Sequence, residues 1–286
     1  MARSHPPSLV TIVRRTLLEE CGPLASRTVL AAVSGGGDSQ AMLSVLARLA
    51  PQLGFSVVAH GVDHGLRAAA AAELDRAEAL ADKLGVPFGR TRVQVSRGGN
   101  LQARAREARY AALREAAAPT DALIATAHHA DDRAETVLLR LLRGSGPRGL
   151  AVLPARAQGT IRPLLRAAKR DVLLHLERHC LDFAEDPSNQ DAAFLRVRVR
   201  SEAMPVLAQL SPQIVQHLNA LADALSGLEE AALPDLSSLD LPETAAPLNR
   251  AQISEVLRAS RLGRSVTIRV AGGRDLTTQR PQKIKP

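Results

Sequence analysis

Between Thr28 and His179, short runs of β-branched and small apolar residues alternate with longer stretches of helical composition. Thr28-Val29-Leu30-Ala31-Ala32-Val33 predicts a buried strand, and Gln40 to Leu49 a helix that stops before Pro51. Ser56 to Val62 reads as a second strand, followed by an Ala-rich helix from about Ala68 to Leu84 that Gly85 closes. Phe88 to Val95 then predicts a third strand and Leu101 to Ala117 a helix. Asp121 to Thr126 predicts a fourth strand, with Asp132 to Leu142 a helix ended by Gly144. Thr160 to Leu164 and Asp171 to His179 supply one more strand and helix. This alternation specifies an α/β fold, a Rossmann-like parallel sheet flanked by helices.

After about Asp191 the pattern changes to helices without strands, Ala193 to Leu210 and Pro212 to Glu230. Leu233 to Pro247 is rich in Pro, Ser and Asp and reads as a linker. A helix near Arg250 to Arg258 and a β-like run, Ser265 to Val270, precede a basic, frayed end. The expected organisation is a catalytic domain over 1–190, a helical region over 191–232, and a linker with a short C-terminal unit over 233–286.

Composition refines this picture. Apolar residues make up 45% of the chain and aromatics 2%, with no Trp, so the core must be built from Ala, Leu and Val. The formal charge is +8, and the cations are arginines apart from four lysines. Arginine's planar fork suits phosphate, although genome base composition accounts equally well for a preference for Arg over Lys. Two distant cysteines, Cys21 and Cys180, cannot form a zinc ribbon or an iron–sulfur site from this chain alone; they read as buried thiols of a reducing compartment. Arg14 and Arg15 interrupt the apolar segment from Leu9 to Leu18, and no apolar run reaches membrane-spanning length, so a soluble cytoplasmic protein is expected.

The strongest chemical signal is Ser34-Gly35-Gly36-Gly37-Asp38-Ser39, set between the first strand and its helix. Glycines bring bare backbone N–H groups to a ligand, and the helix that follows adds its positive end, so an anion belongs there. Ser34 and Ser39 can donate to phosphate oxygens, and Asp38 can hold the Mg2+ that accompanies a nucleotide. The spacing matches neither the P-loop, with its lysine, nor the dinucleotide fingerprint.

The loop resembles the SGGxDS pyrophosphate loop of the N-type ATP pyrophosphatases, and further motifs resemble the tRNA(Ile)-lysidine synthetase family within that superfamily. They are Val62-Asp63-His64-Gly65-Leu66-Arg67, Glu107-Ala108-Arg109-Tyr110 with Arg106, the run from Ala125 to Leu150, and Glu185-Asp186-Pro187-Ser188-Asn189 with Phe194-Leu195-Arg196. The resemblance covers roughly Thr28 to Leu225. It implies an adenine nucleotide alpha hydrolase-like fold, ATP and Mg2+, and a ligase that adenylates the wobble cytidine of a tRNA(Ile) with a CAU anticodon before joining free L-lysine to it.

The same resemblance assigns ATP to Ser34, Gly35, Gly36, Gly37, Asp38, Ser39 and His64. Chemistry falls to Asp38, Arg109, Asp132 and Glu135, and substrate or tRNA contacts to Arg106, His128, Arg148, Arg196, Arg198 and Arg200. Simpler physical readings stand beside these. Asp132 and Glu135 fit a capping box, Arg143 a helix C-terminus, and the alternating arginines from 196 to 200 a solvated basic face. His128 and Asp132 lack a third ligand for zinc. Val197 stands where the family usually carries Asn. A tRNA thiolase of the same superfamily would need a cysteine set that the chain lacks. Two further rival functions are a small-molecule amidotransferase-type synthetase and a nucleotide-binding RNA module without turnover. No membrane partner is expected, and the sequence is compatible with a homodimer as well as a monomer.

Overall fold

The computed structural model describes residues 7–65, 69–94, 101–184 and 194–231, and two short strands at 267–269 and 275–277. The chain divides into two compact units, 1–227 and 228–286. The first contains β1 (Thr28–Val33), β2 (Ser56–Asp63), β3 (Phe88–Arg92), β4 (Leu123–Ala125), β5 (Arg156–Ala157) and β6 (Thr160–Ile161), in the order β3-β2-β1-β4-β6-β5. Only the β5–β6 pair is antiparallel. In the second unit the described residues include one antiparallel pair, β7 (Thr267–Arg269) within the run expected to be β-like, and β8 (Asp275–Thr277) beyond it. Leu66 and Arg67, the Glu185–Asn189 motif, the expected linker and the helix near Arg250 lie outside the described residues.

Helices α1 (Leu9–Glu19), α2 (Gly37–Leu53), α3 (Ala69–Leu84) and α7 (Lys169–Arg178) pack in one layer with the first face of the sheet. On the other side, α4 (Leu101–Ala117) covers Leu30 and Ile124. β1 shows the division: Val29, Ala31 and Val33 enter the larger core, and Leu30 faces Leu113 and Ala117. That core holds Leu17, Met42, Leu43, Leu46 and Leu49, and Phe55 is its one fully buried aromatic among the described residues. Small and aliphatic side chains let helices approach the sheet closely, as the composition requires.

Several boundaries differ from expectation. The Leu9–Leu18 segment forms α1, because Leu9, Val13 and Leu17 recur at helical spacing while Arg14 and Arg15 face solvent; Ser8 caps it. α2 continues through Pro51 to a left-handed Gly54; Pro51 lies in the last turn with its ring exposed, where a lost hydrogen bond is tolerated. β3 ends at Arg92 and β6 at Ile161, short of the runs that suggested them. Cys21 is buried, its thiol pushed up to about 11 by burial, whereas Cys180 is exposed, contrary to the expectation of two buried thiols.

As far as Gly227, the helices after the sheet belong to the same unit as the sheet. α8 (Leu195–Arg198) runs through a π-helical turn, Val199–Ala203, into α9 (Met204–Leu210), and α10 (Ile214–Ala231) follows. The wide turn lies just ahead of Pro205, which cannot donate to the helical ladder. α10 is tied to α5 (Ala130–Leu142): Asn219 donates to the Ala130 carbonyl, and the buried Arg133 reaches Asp223 at 2.6 Å. Among the described residues, no helix is long and apolar enough to cross a membrane.

Candidate active site

β1 and β4 are adjacent parallel strands whose chains leave in different directions, β1 towards β2 and β4 towards β6. The crevice outside their C-terminal ends is where open α/β sheets bind ligands. The Ser34–Ser39 loop leaves β1 there, and Thr126 to His129 leaves β4.

The loop is shaped by its glycines. Gly35 has φ +78°, and a Cβ on it would collide with the Glu73 carbonyl, so no other residue fits. Its carbonyl accepts from Ala184 N–H at 2.9 Å, pinning the loop to the segment after α7. Gly36 precedes α2 without a side-chain cap, and its carbonyl accepts from Gln40 N–H, the first helical bond. The N–H groups of the first turn have no partner within the helix, which leaves this end positive. Ser39 Oγ donates to Gly36 O at 2.8 Å and accepts Ser34 N–H at 3.2 Å, which fixes one hydroxyl beside those amides.

Asp38, in the first turn of α2, is two-thirds buried and meets Lys169 Nζ at 2.5 Å. Among the described residues no three His, Cys, Asp or Glu side chains converge as a metal cage. One accessible carboxylate beside a phosphate cradle does fit Mg2+, which keeps waters and phosphate oxygens among its ligands.

The capping box of α5 falls one turn earlier than expected. His129 is the N-cap: Asp132 N–H donates to its Nδ1 at 3.3 Å, and Asp132 Oδ2 accepts His129 N–H at 3.2 Å. Glu135 takes no part in it. Nδ1 of His129 is taken by the cap, and its Nε2 lies 3.7 Å from Asp38 and 3.5 Å from Asp132. One buried imidazole therefore joins the phosphate loop to the acidic pair.

Asp132 and Glu135 form that pair, and Arg196 and Arg200 neutralise it. Arg200 Nε and Nη2 reach Glu135 at 2.7 and 3.0 Å, and Arg196 Nη2 reaches Asp132 at 3.0 Å. Burial favours the protonated form of Asp132, but His129, Arg196 and His128 outweigh it and hold the carboxyl below its ordinary value. Hydrogen bonding to Glu135 raises Arg200.

Beside this cluster, His128 bonds Thr126 Oγ1 at 3.0 Å; burial, with Arg162, Arg106 and Arg109 nearby, overcomes Asp132 and pushes its imidazole down to about 3. Arg106 and Arg109 lie against the Tyr110 ring, 5.0 and 5.6 Å from its centre, and burial lowers Arg109.

The structure thus brings together Ser34 to Ser39, Asp132 and Glu135, sets His128 beside Asp132, and places Arg106 and Arg109 near His128. His64 follows β2, and Arg148 stands exposed on α6 (Pro147–Leu150), which packs on α5. Arg198 points elsewhere, paired with the exposed Glu202 at 3.1 Å. Sequence reasoning missed Lys169 and His129. A lone lysine between Lys83 and Lys283 in an arginine-rich chain was the available signal for the first; nothing marked His129 as a cap.

The twisted parallel sheet and the glycine loop at its switch point define a PP-loop nucleotide-binding protein, and the family model for the PP-loop domain matches residues 9–207. Within that class, the tRNA(Ile)-lysidine synthase of Pseudomonas aeruginosa is 42% identical over 221 residues, covering 76% of this chain and 50% of that protein. That of Salinispora tropica is 41% identical over 264 residues, covering 86% and 76%. The chain belongs to the tRNA(Ile)-lysidine synthase family. It spans about half the length of the Pseudomonas relative. A U34-tRNA thiolase from Methanococcus maripaludis, solved with its 4Fe–4S cluster, shares the fold at TM-score 0.64 and 20% identity, over 86% of this chain and 88% of that one.

Proposed function

We propose that this chain adenylates the wobble cytidine of tRNA(Ile) bearing a CAU anticodon and replaces the AMP with L-lysine. The placement of His129 carries the reading: a single buried ring lies between Asp38 of the phosphate loop and Asp132 of the acidic pair, so the nucleotide phosphates and the lysine would meet across one wall. ATP would lie with its phosphates on the loop amides and the Ser34 and Ser39 hydroxyls. Asp38 would hold Mg2+, which supplies charge neutralisation.

Cytidine O2 attacks the α-phosphorus, the bond to the bridging oxygen breaks, and pyrophosphate leaves with the electron pair. The lysine ε-amine then attacks C2, the C2–O bond breaks, and AMP departs. Asp132 and Glu135 would bind and orient the lysine, and one of these carboxylates would take the proton that the ε-ammonium must lose before its amine attacks, with Asp132 ionised at neutral pH. Arg109 and Arg148 would stabilise charge developing on the phosphates.

Lysine entry must displace Arg196 and Arg200 from the carboxylates, and RNA phosphates offer those guanidinium groups an alternative acceptor. In this reading tRNA is held by Arg196, Arg198 and Arg200, with Arg106 and His128 nearer the base. Omission experiments with labelled ATP test the reaction order. Pyrophosphate release should need tRNA but not lysine, and AMP release should need both; equal release without tRNA contradicts the assignment.

A further inference from the structure

The phosphate loop has no lysine of its own, yet an ammonium reaches it from another element. Lys169 opens α7, and its Nζ meets Asp38 Oδ1. Three side-chain pairs, Lys169 with Asp38, His175 with Ser44 and His179 with Arg48, share one sequence offset of 131 residues. α7 and α2 therefore run side by side in the same direction, with their N-terminal ends together at the loop.

Two carboxylates anchor the start of α7. Asp131, in the first turn of α5, accepts the Lys169 backbone N–H at 2.8 Å, and Asp171 accepts that of Ala168 at 3.0 Å. Because these amides are taken, α7 offers the loop the Lys169 side chain rather than its helix end. That side chain is 41% exposed and Asp38 33%, so both are within reach of solvent beside the phosphate loop. A flexible four-carbon stem can exchange one oxygen partner for another while the helix stays fixed.

We propose that Lys169 is a phosphate-binding residue, whose ammonium leaves Asp38 for the phosphates that depart as pyrophosphate while Asp38 turns to Mg2+, with Asp131 as its positioning residue. The inference rests on the phosphate-loop reading above and names the cation that loop lacks. A magnesium nucleotide brings one cation and several anionic oxygens at once, so the Lys169–Asp38 pair can separate with both members repartnered. When the α-phosphorus bond to the bridging oxygen breaks, the electron pair stays on pyrophosphate, where a fixed ammonium stabilises it.

The test is calorimetric titration of the full chain with magnesium pyrophosphate and, separately, with AMP, so that no turnover is involved. Lys169→Met should weaken pyrophosphate binding by roughly tenfold or more, Lys169→Arg should restore most of it, and AMP affinity should stay at the wild-type value in both. Lys169→Gln serves as a second neutral variant should the Met variant fold poorly. Equal pyrophosphate binding by wild type and the neutral variants overturns the role of Lys169 and leaves the loop reading standing. Parallel loss of AMP and pyrophosphate binding also overturns it, because a structural defect would lower both. A wild-type chain that binds no pyrophosphate overturns the loop reading itself.

Discussion

Arg200→Met should cost the fold about 2 kcal/mol, whereas Glu135→Gln should cost about 1 kcal/mol or less, because the two partners differ in how deeply they are buried. The Glu135 side chain is 4% exposed and that of Arg200 44%. Removing Arg200 deletes two bonds to Glu135 and one to Asp132, leaving Glu135, among the described residues, only Arg196 Nε at 3.4 Å. A wholly stranded buried charge costs about 3–5 kcal/mol; the remaining arginine and the half-exposed position of the cluster reduce that to about 2. Gln at 135 still accepts from Arg200, and both guanidinium groups can reach water.

The assay is urea denaturation at neutral pH of the two single variants and the double variant. The double variant should be more stable than the sum of the singles predicts, by about 1 kcal/mol. Additive effects, or a larger cost for Glu135→Gln than for Arg200→Met, would refute the picture of a desolvated carboxylate held by arginines.

Gly35→Ala should abolish pyrophosphate binding, since the Glu73 carbonyl occupies the space its Cβ needs; calorimetry with normal binding would contradict that packing. Burial, aided by His179, Arg48 and Arg178, pushes His175 down to about 4. The unfolded chain therefore takes up the proton first, and stability present above the ordinary histidine range is lost as pH falls towards 4. From pH 7 to pH 5 this amounts to about 2 kcal/mol, and urea midpoints of wild type and His175→Gln should differ in pH slope accordingly. Binding of tRNA should fall steeply with salt, and Arg198→Gln should flatten the log–log slope by about one unit; an unchanged slope removes Arg198 from the RNA face.

The β1–loop–α2 unit was legible in the sequence because a buried strand, three glycines and a helix adjoin in one stretch of chain. α1 was not, since Arg14 and Arg15 break the apolar run and only the spacing of Leu9, Val13 and Leu17 betrays a helix. The capping box was displaced because His129 is an unusual cap, which turned Asp132 from the cap into the residue folding back on it. The arginines from 196 to 200 look like one basic stripe in sequence, yet Arg196 and Arg200 close on carboxylates 61 to 68 residues away while Arg198 turns to Glu202. Lys169 lies 131 residues from Asp38, and no local pattern links them. Chemistry carried on one segment could be read directly; pairings that depend on how α5, α7 and α8 converge could not.

Incorporation of labelled lysine tests the central claim most directly. The chain is incubated with ATP, Mg2+ and either tRNA(Ile) with a CAU anticodon or the same tRNA with uridine at the wobble position. Label should enter the first tRNA and not the second, with both still bound, because phosphate contacts position the RNA while the base supplies the reacting atom. Equal incorporation into both, or none into the CAU tRNA, would contradict the account.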